Sequence, residues 1–250
     1  MIKAAIFDLD GTISDTLSTI AHYGNYALKE CGFLPHSIEK YKYFAGDGKK
    51  ELIRRMLETQ NAYTEENFLR VEKIYDCAYE KDVIYETKPF EQITELLDEL
   101  KQNGIKIAVL SNKPDNVAVM VINELFGKIF DVVHGKREEI EKKPDPAGAF
   151  ITADELGVDV SECIFVGDTD VDIKTAKNAK MVSVGVLWGF RCEDELKSAG
   201  ADYIVKNPME ILEIFKNRNW VFARKKEKIR DLKRFKKVFW NFKKKCWQSF

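Results

Sequence analysis

The feature that most constrains this chain is an apolar run near the N-terminus that ends in two carboxylates. Ile2 to Phe7 has the character of a short buried strand, and Asp8-Leu9-Asp10-Gly11-Thr12 follows directly. Because side chains two residues apart in a strand project to the same side, Asp8 and Asp10 should point together. Buried carboxylates need a counter-charge, and a hard divalent cation with oxygen ligands, most simply Mg²⁺, would supply it. The hexamer alone also fits an Asp-Gly turn after an edge strand.

The rest of the chain alternates short apolar segments with amphipathic ones, which is typical of a parallel, doubly wound α/β sheet. Residues 14–83 interrupt that alternation, because they are helical in pattern, rich in aromatic residues and free of strand signals. We therefore predict a Rossmann-like core, an inserted helical cap and a basic tail. The core comprises residues 1–13 and 84–215, the cap residues 14–83 and the tail residues 216–250. The predicted strands after the cap are Ile105 to Leu110, Phe130 to Val133, Cys163 to Val166, Val182 to Val186 and Tyr203 to Val205.

The net charge of −1 conceals an acidic body and a basic tail. Residues 216–250 contain 14 Lys or Arg and two acidic residues, a net charge of +12, which leaves −13 on the remainder. Apolar residues recur at helical spacing in the tail, so we expect a basic amphipathic helix. Residues 219–250 would then bind an anionic membrane surface, a protein partner or the acidic body, and nucleic acid is the least favoured partner.

Composition fits a globular protein, since 45% of the 250 residues are hydrophobic and no apolar run approaches a membrane span. The N-terminus does not have the pattern of a secretory signal. The five cysteines are scattered, without the spacing of a zinc site or a disulfide framework. We expect a cytoplasmic protein, monomeric or homodimeric.

Polar residues follow four of the predicted strands: Asp8 and Asp10, Ser111, Lys142 and Lys143, and Asp168 and Asp172. The carboxyl ends of parallel strands share one edge of the sheet, so these groups should meet. Carboxylates, a hydroxyl and an ammonium together suit phosphoryl transfer. Each also has a structural explanation: Ser111 as a helix N-cap, the two lysines as a solvated pair, and Asp172 as first-turn charge.

These four motifs, in this order, resemble those of the haloacid dehalogenase-like hydrolases, a superfamily dominated by Mg²⁺-dependent phosphatases. The resemblance implies that Asp8 is the nucleophile and that Asp10 is the general acid and base. It implies that Ser111 and Lys143 hold the phosphoryl oxygens. Mg²⁺ would be held by Asp8, Asp168 and the backbone carbonyl of Asp10, with Asp172 orienting metal-bound water or Lys143. Asp170 does not match a family position.

Two stretches resemble the phosphoglycolate phosphatase subgroup: Phe44-Ala45-Gly46-Asp47-Gly48 before Lys49, and Gly185-Val186-Leu187-Trp188-Gly189-Phe190. The resemblance implies a small phosphomonoester substrate, bound by Ser111, Asn112, Lys143, Gly46 and Lys49, with Lys42 or a cap-loop amide as a further contact. Lys49 and Lys50 also fit a solvated helix face. Alternative substrates in the family are pyrophosphate, nucleotides and sugar phosphates, and a β-phosphoglucomutase-like enzyme is a further alternative. Lys180 stands where relatives usually have glycine.

Overall fold

The computed structural model describes residues 1–216. Six parallel strands form one sheet: β1 (Ala4–Phe7), β4 (Lys106–Pro114), β5 (Val132–Lys136), β6 (Cys163–Gly167), β7 (Val182–Val186) and β8 (Tyr203–Val205). Their order across the sheet is β5-β4-β1-β6-β7-β8, which confirms the predicted doubly wound α/β fold. A separate antiparallel pair consists of β2 (Ser14–Asp15) and β3 (Lys88–Pro89).

Helices cover the sheet and fill the segment between β2 and β3. The four in that segment are α1 (Leu17–Glu30), α2 (Ile38–Phe44), α3 (Lys49–Glu58) and α4 (Glu65–Tyr79). The others are α5 (Ile93–Gln102), α6 (Asp115–Phe126), α7 (Ala147–Glu155), α8 (Asp170–Asn178) and α9 (Glu193–Ser198), with a short 3-10 helix at Val160–Glu162. Within residues 1–216, the helices lack the length and apolar character that crossing a bilayer requires.

The central strand β1 is buried on both faces, which explains its unbroken apolar sequence. Ala5 and Phe7 belong to the larger apolar cluster, while Ala4 and Ile6 belong to a second cluster that contains Phe165. The register places Phe7 level with Val109 of β4 and with Val166 of β6. The residues that follow these three positions therefore emerge side by side at one edge of the sheet.

Several local expectations were wrong. Residues 14–83 are not free of strand, because Ser14–Asp15 pairs with Lys88–Pro89; we propose this ribbon as the junction between core and cap. Strand β4 runs on to Pro114, so Ser111 lies inside a strand and is not a helix N-cap. Helix α9 was not predicted from the sequence.

Lys180 adopts a left-handed φ of 58° after α8, so lysine keeps the helix exit that glycine would favour, at a cost in backbone strain. The proposed division into domains remains a proposal, and the predicted tail, apart from Lys216, lies outside the described residues.

Candidate active site

Three buried acids meet at the edge of the sheet where β1 and β6 end. One carboxylate oxygen from each of Asp8, Asp168 and Asp172 lies within 4.8 Å of the other two. Asp8 follows β1 directly and Asp168 follows β6, so the register of the two strands brings them together. Asp172 comes from the first turn of α8. Such a cluster in the interior requires positive charge nearby.

Lys143 supplies part of that charge. Its Nζ lies 2.8 Å from Asp8 Oδ1 and 2.7 Å from Asp172 Oδ1, and only 3% of the residue is exposed. Burial alone would lower the pKa of Lys143, but the carboxylates of Asp172 and Asp8 outweigh it and the pKa rises. Lys143 is therefore a permanent cation here, and the interpretation of it as part of a solvated pair is wrong.

One ammonium does not compensate the whole cluster. Burial raises the pKa of Asp8 to about 7, although Lys143 opposes the shift. Burial, together with Asp172 and Asp8 as anionic neighbours, raises the pKa of Asp168 well above its ordinary value. Asp8 Oδ1 is also buried, and Lys143 Nζ at 2.8 Å is the polar partner that the described residues supply to it. A set of oxygen donors that are destabilised as anions and incompletely partnered fits a divalent cation such as Mg²⁺.

Asp168 is fixed by two neighbouring segments, Gly11-Thr12 and Gly189-Phe190. Thr12 Oγ1 donates to Asp168 Oδ1 at 3.0 Å, and the backbone N–H of Phe190 donates to Oδ2 at 2.7 Å. A Cβ on Gly11, whose φ is +82°, would lie 2.3 Å from Asp168 Oδ2, and a Cβ on Gly189 would lie equally close to Asp168 Cβ. Only glycine fits at both positions, which accounts for the glycine in each motif.

Asp172 has a double attachment. Its Oδ1 accepts from Lys143 Nζ, while Oδ2 accepts from the Thr169 hydroxyl at 2.7 Å and the Thr169 backbone N–H at 3.1 Å, in a capping box at the start of α8. Asp172 therefore fits two of the expectations for it, first-turn charge at the start of a helix and orientation of Lys143. The carboxylate stabilises the helix and holds Lys143 against Asp8.

Asp10 lies at the rim of the cluster and faces a lysine that we had not predicted as a site residue. Lys113 Nζ is 3.1 Å from Asp10 Oδ1 and 3.3 Å from Oδ2, and it donates to Tyr79 Oη at 2.8 Å. Lys113 lies in β4, two residues after Ser111, and both residues line the same cavity. That spacing was the available signal, whereas nothing local marks Tyr79, at the end of α4, as a contact of the site.

Ser111 and Asn112 differ in what they offer to a ligand. Ser111 is 4% exposed and lines the cavity beside Asp8, and its Oγ accepts the Lys113 N–H at 3.3 Å. The Asn112 side chain is committed to backbone groups, because it accepts the Lys143 N–H and donates to the carbonyls of Lys143 and Gly46. Asn112 thus connects the Lys143 segment to the cap loop.

Residues 42–48, called the cap loop here, comprise the end of α2 and the segment up to α3. Three side chains from outside residues 14–83 hold the cap loop over the sheet edge. Asn112 donates to the Gly46 carbonyl, and Lys142 Nζ donates to the Asp47 carbonyl at 3.0 Å. Arg191 donates to the carbonyls of Lys42 and Ala45. Beneath the loop is a cavity of about 180 Å³, with Asp8, Asp10 and Ser111 on one side and residues of α1, α3 and α4 on the other.

Some of the cap residues that we expected to contact the substrate line the cavity, and others do not. Gly46 and Lys49 both line the cavity. Lys49 Nζ is paired with Asp76 at 2.7 Å and Glu72 at 3.1 Å. Lys50 is exposed, in agreement with a solvated helix face. Lys42 pairs with Glu39, and it is absent from the described lining of the cavity.

Residues 5–186 match the family described as haloacid dehalogenase-like hydrolase. This chain belongs to that family. A phosphoglycolate phosphatase of Aquifex aeolicus is 32% identical over 220 residues, which span 86% of this hydrolase and 98% of the relative. A candidate phosphoglycolate phosphatase of Lactobacillus delbrueckii subsp. bulgaricus has a solved structure with a TM-score of 0.82 and 32% identity, covering 85% of this chain and 97% of the other.

A β-phosphoglucomutase of Clostridium difficile has the same fold, with a TM-score of 0.71, 27% identity, and coverage of 88% of this chain and all of the other. The similarity to the phosphoglycolate phosphatases places this hydrolase in the phosphoglycolate phosphatase-like subgroup. It is a phosphatase, and it acts on a small phosphorylated substrate. The resemblance drawn from the four motifs is thus confirmed.

Proposed function

We propose that this phosphatase uses Mg²⁺ and hydrolyses phosphoglycolate through an aspartyl-phosphate on Asp8. The observation that carries the proposal is the position of the Asp8 carboxylate. It lies at the floor of the cavity, against the buried ammonium of Lys143 and within reach of Asp168. A buried carboxylate beside a fixed cation suits attack on an anionic phosphoryl group.

The chemistry divides into two displacements at phosphorus. An Asp8 oxygen forms a bond to phosphorus, the ester P–O bond breaks, and the departing alkoxide takes a proton from Asp10. Water then attacks the phosphorus of the aspartyl-phosphate while Asp10, now ionised, takes a proton from it, and the bond to Asp8 breaks to release inorganic phosphate. Ser111 and Lys143 hold the phosphoryl oxygens, and Asp172 keeps Lys143 in place.

Asp8, Asp168 and the backbone carbonyl of Asp10 would hold Mg²⁺. The bound cation would neutralise charge on the phosphoryl oxygens and on the buried acids. Thr12 and Phe190 orient Asp168 for this role, since each donates to a different oxygen of that carboxylate. The cap excludes bulk water from the cavity.

Phosphoglycolate is favoured by the activity for which the relatives are named and by the modest size of the cavity. The test is an assay of phosphoglycolate, pyrophosphate, a nucleoside monophosphate and a hexose phosphate with Mg²⁺, alongside the Asp8→Asn variant. We expect phosphoglycolate to have the highest kcat/KM and the variant to be inactive on all four. Preference for a hexose phosphate would instead favour the sugar phosphatase alternative.

We also propose that residues 219–250 attach the protein to an anionic membrane surface or a protein partner. The net charge of +12 on residues 216–250 supports this, because basic segments are attracted to anionic lipid within a Debye length of about 8 Å at physiological salt. Vesicle co-sedimentation of the full chain and of a chain ending at Lys216 tests it. Equal sedimentation of the two chains contradicts the membrane proposal.

A further inference from the structure

The cavity has an anion-binding feature apart from the phosphoryl site, on the side where a leaving group would lie. Of the described residues that line the cavity, two are cationic, Lys49 and Lys113. Lys49 is compensated by two acids of the cap, Glu72 and Asp76. Lys113 has one carboxylate partner, Asp10, and a neutral partner, Tyr79. Of these two lysines, Lys113 therefore has the charge that is less fully neutralised by acidic neighbours, and it is the better placed to bind an anion.

Tyr79 adds a neutral donor beside that ammonium. Its oxygen accepts from Lys113 Nζ at 2.8 Å, and its hydroxyl proton is donated to none of the residues from 1 to 216. Burial raises the pKa of Tyr79 well above its ordinary value, so the phenol keeps its proton throughout the physiological range. An ammonium and a phenol that lie side by side form a suitable receptor for a carboxylate.

The distance from Asp10 sets which part of a substrate would reach this receptor. Asp10 is the group that would protonate the ester oxygen of the leaving group, and Lys113 Nζ lies 3.1 Å from its Oδ1. A carboxylate attached one carbon beyond the ester oxygen, as in phosphoglycolate, would lie next to that ammonium. With an uncharged leaving group, Lys113 would keep the partners that it has in this structure, Asp10 and Tyr79.

We infer that Lys113 and Tyr79 bind the carboxylate of the leaving group and thereby select phosphate esters with an anionic leaving group. This inference rests on the proposed function, and it adds the residues that would determine its substrate class. Lys113 comes from β4 of the sheet and Tyr79 from α4, so the receptor is complete only when helix and sheet edge are together. Selection would therefore depend on a residue from each side of the cavity.

The experiment compares two substrates of similar shape on the full-length protein with Mg²⁺: phosphoglycolate, and isobutyl phosphate, whose leaving group is uncharged. We expect Lys113→Met to lower kcat/KM for phosphoglycolate about 10- to 100-fold more than for isobutyl phosphate, chiefly through KM. Tyr79→Phe should reduce the same ratio about three- to tenfold, because it removes one neutral donor. Lys113→Arg should restore part of the preference, since it restores the charge.

Lys101→Met is the matched control, because Lys101 pairs with Asp131 on the solvent-exposed surface of the core. Its ratio should equal that of the wild type. Residual turnover of isobutyl phosphate shows that each variant is folded, and Tyr79→Phe provides the test if Lys113→Met does not fold. Equal losses on both substrates would mean that Lys113 only positions Asp10, and the inference would be overturned.

The inference and the proposed function fail in different ways. If the wild type prefers phosphoglycolate and Lys113→Met keeps that preference, the receptor is wrong while phosphoglycolate hydrolysis stands. If the wild type itself does not prefer phosphoglycolate over isobutyl phosphate, the proposed substrate is wrong and the carboxylate receptor falls with it.

Discussion

Lys143 Nζ lies 2.8 Å from Asp8 Oδ1, and both residues are buried. The pair joins the first motif of the chain to the third, across more than 130 positions of sequence. Burial of an ion pair costs desolvation free energy, so such a pair contributes little to stability. Binding of a charged ligand is a function that accounts for its presence here. Transfer of a phosphoryl group, which carries negative charge on its oxygens, is a task that suits it.

Replacement of Asp8 by Asn should abolish turnover. An amide is a poor nucleophile and a poor metal ligand, so we expect kcat to fall at least about 10³-fold. Asp170→Asn is the matched control, because Asp170 pairs with Lys174 on the surface of α8 and lies outside the proposed machinery. Steady-state kinetics of the two variants provide the measurement, with circular dichroism to verify folding. Wild-type turnover by the Asp8 variant would falsify the assignment of the nucleophile.

Asp10→Asn should impair proton transfer and spare cation binding. We expect kcat for alkyl phosphates to fall about 10²- to 10⁴-fold, because an amide cannot protonate the alkoxide. With p-nitrophenyl phosphate the first displacement should be affected less, since that leaving group needs no proton. The increase in Tm on addition of Mg²⁺ should persist. Equal losses in the first displacement for both substrates, measured by burst kinetics, would contradict the general-acid role.

Mg²⁺ should stabilise the protein more as pH rises from about 5.5 to about 8. Folding raises the pKa of Asp8 from its ordinary value of 3.8 to about 7. The free energy of unfolding of the metal-free protein should therefore fall as the pH rises from 3.8 to about 7. A divalent cation binds the ionised carboxylate, and its effect on Tm should therefore grow over the same range. Thermal denaturation with and without MgCl₂, at ionic strength matched with KCl, tests this. An effect of Mg²⁺ that does not depend on pH, or that is larger at the acidic end, would contradict it.

Gly11→Ala should disrupt the acidic cluster. Both Gly11 and Gly104 have positive φ, of 82° and 72°, but a Cβ on Gly104 meets nothing within 4 Å whereas one on Gly11 would overlap Asp168. Gly104→Ala should thus cost only the backbone strain, about 1–2 kcal/mol in the free energy of unfolding. Gly11→Ala should cost more and should also lose activity and the Mg²⁺-dependent increase in Tm. Chemical denaturation and the phosphatase assay measure these effects, and equal behaviour of the two variants is the contrary outcome.

Removal of residues 217–250 should leave catalysis intact. All proposed catalytic residues and all described residues that line the cavity precede residue 200. We expect kcat/KM within about twofold of the full chain, the ordinary scatter for changes remote from a site. Light scattering of both chains reports any change in oligomeric state. A folded truncation with much lower kcat/KM would show that the segment contributes to the reaction.

The layout of the sheet was predictable because its strands carry strong, bounded apolar patterns. Val182–Val186 and Tyr203–Val205 were predicted to the residue. The strand pair of Ser14–Asp15 with Lys88–Pro89 was not, because two residues carry no periodicity and their pairing depends on a partner more than 70 positions away. Strand β4 was predicted too short, since its polar end looks like a loop until the neighbouring strand is known.

The candidate site was predictable where the chemistry lies at strand ends. Asp8 and Asp168 meet as expected, because the register of β1 and β6 brings the residues after them together, and Lys143 reaches Asp8 from the segment after β5. Tyr79 could not have been predicted in this way, since its approach to Lys113 depends on how α4 lies over the sheet edge. A contact between two segments that lie far apart in the sequence leaves no pattern in either one.

The hydrogen bonds from Asn112, Lys142 and Arg191 to the cap loop all end on main-chain carbonyls. A carbonyl is present whatever amino acid occupies the position, so these attachments do not depend on the identities of the loop side chains. Ala45 is the member of this loop whose side chain lines the cavity in the described structure, and it can therefore be replaced while the anchorage of the loop stays in place. For an engineer, position 45 is a place to vary the shape of the cavity on a fixed backbone, provided that the backbone path around Gly46 and Gly48 is retained.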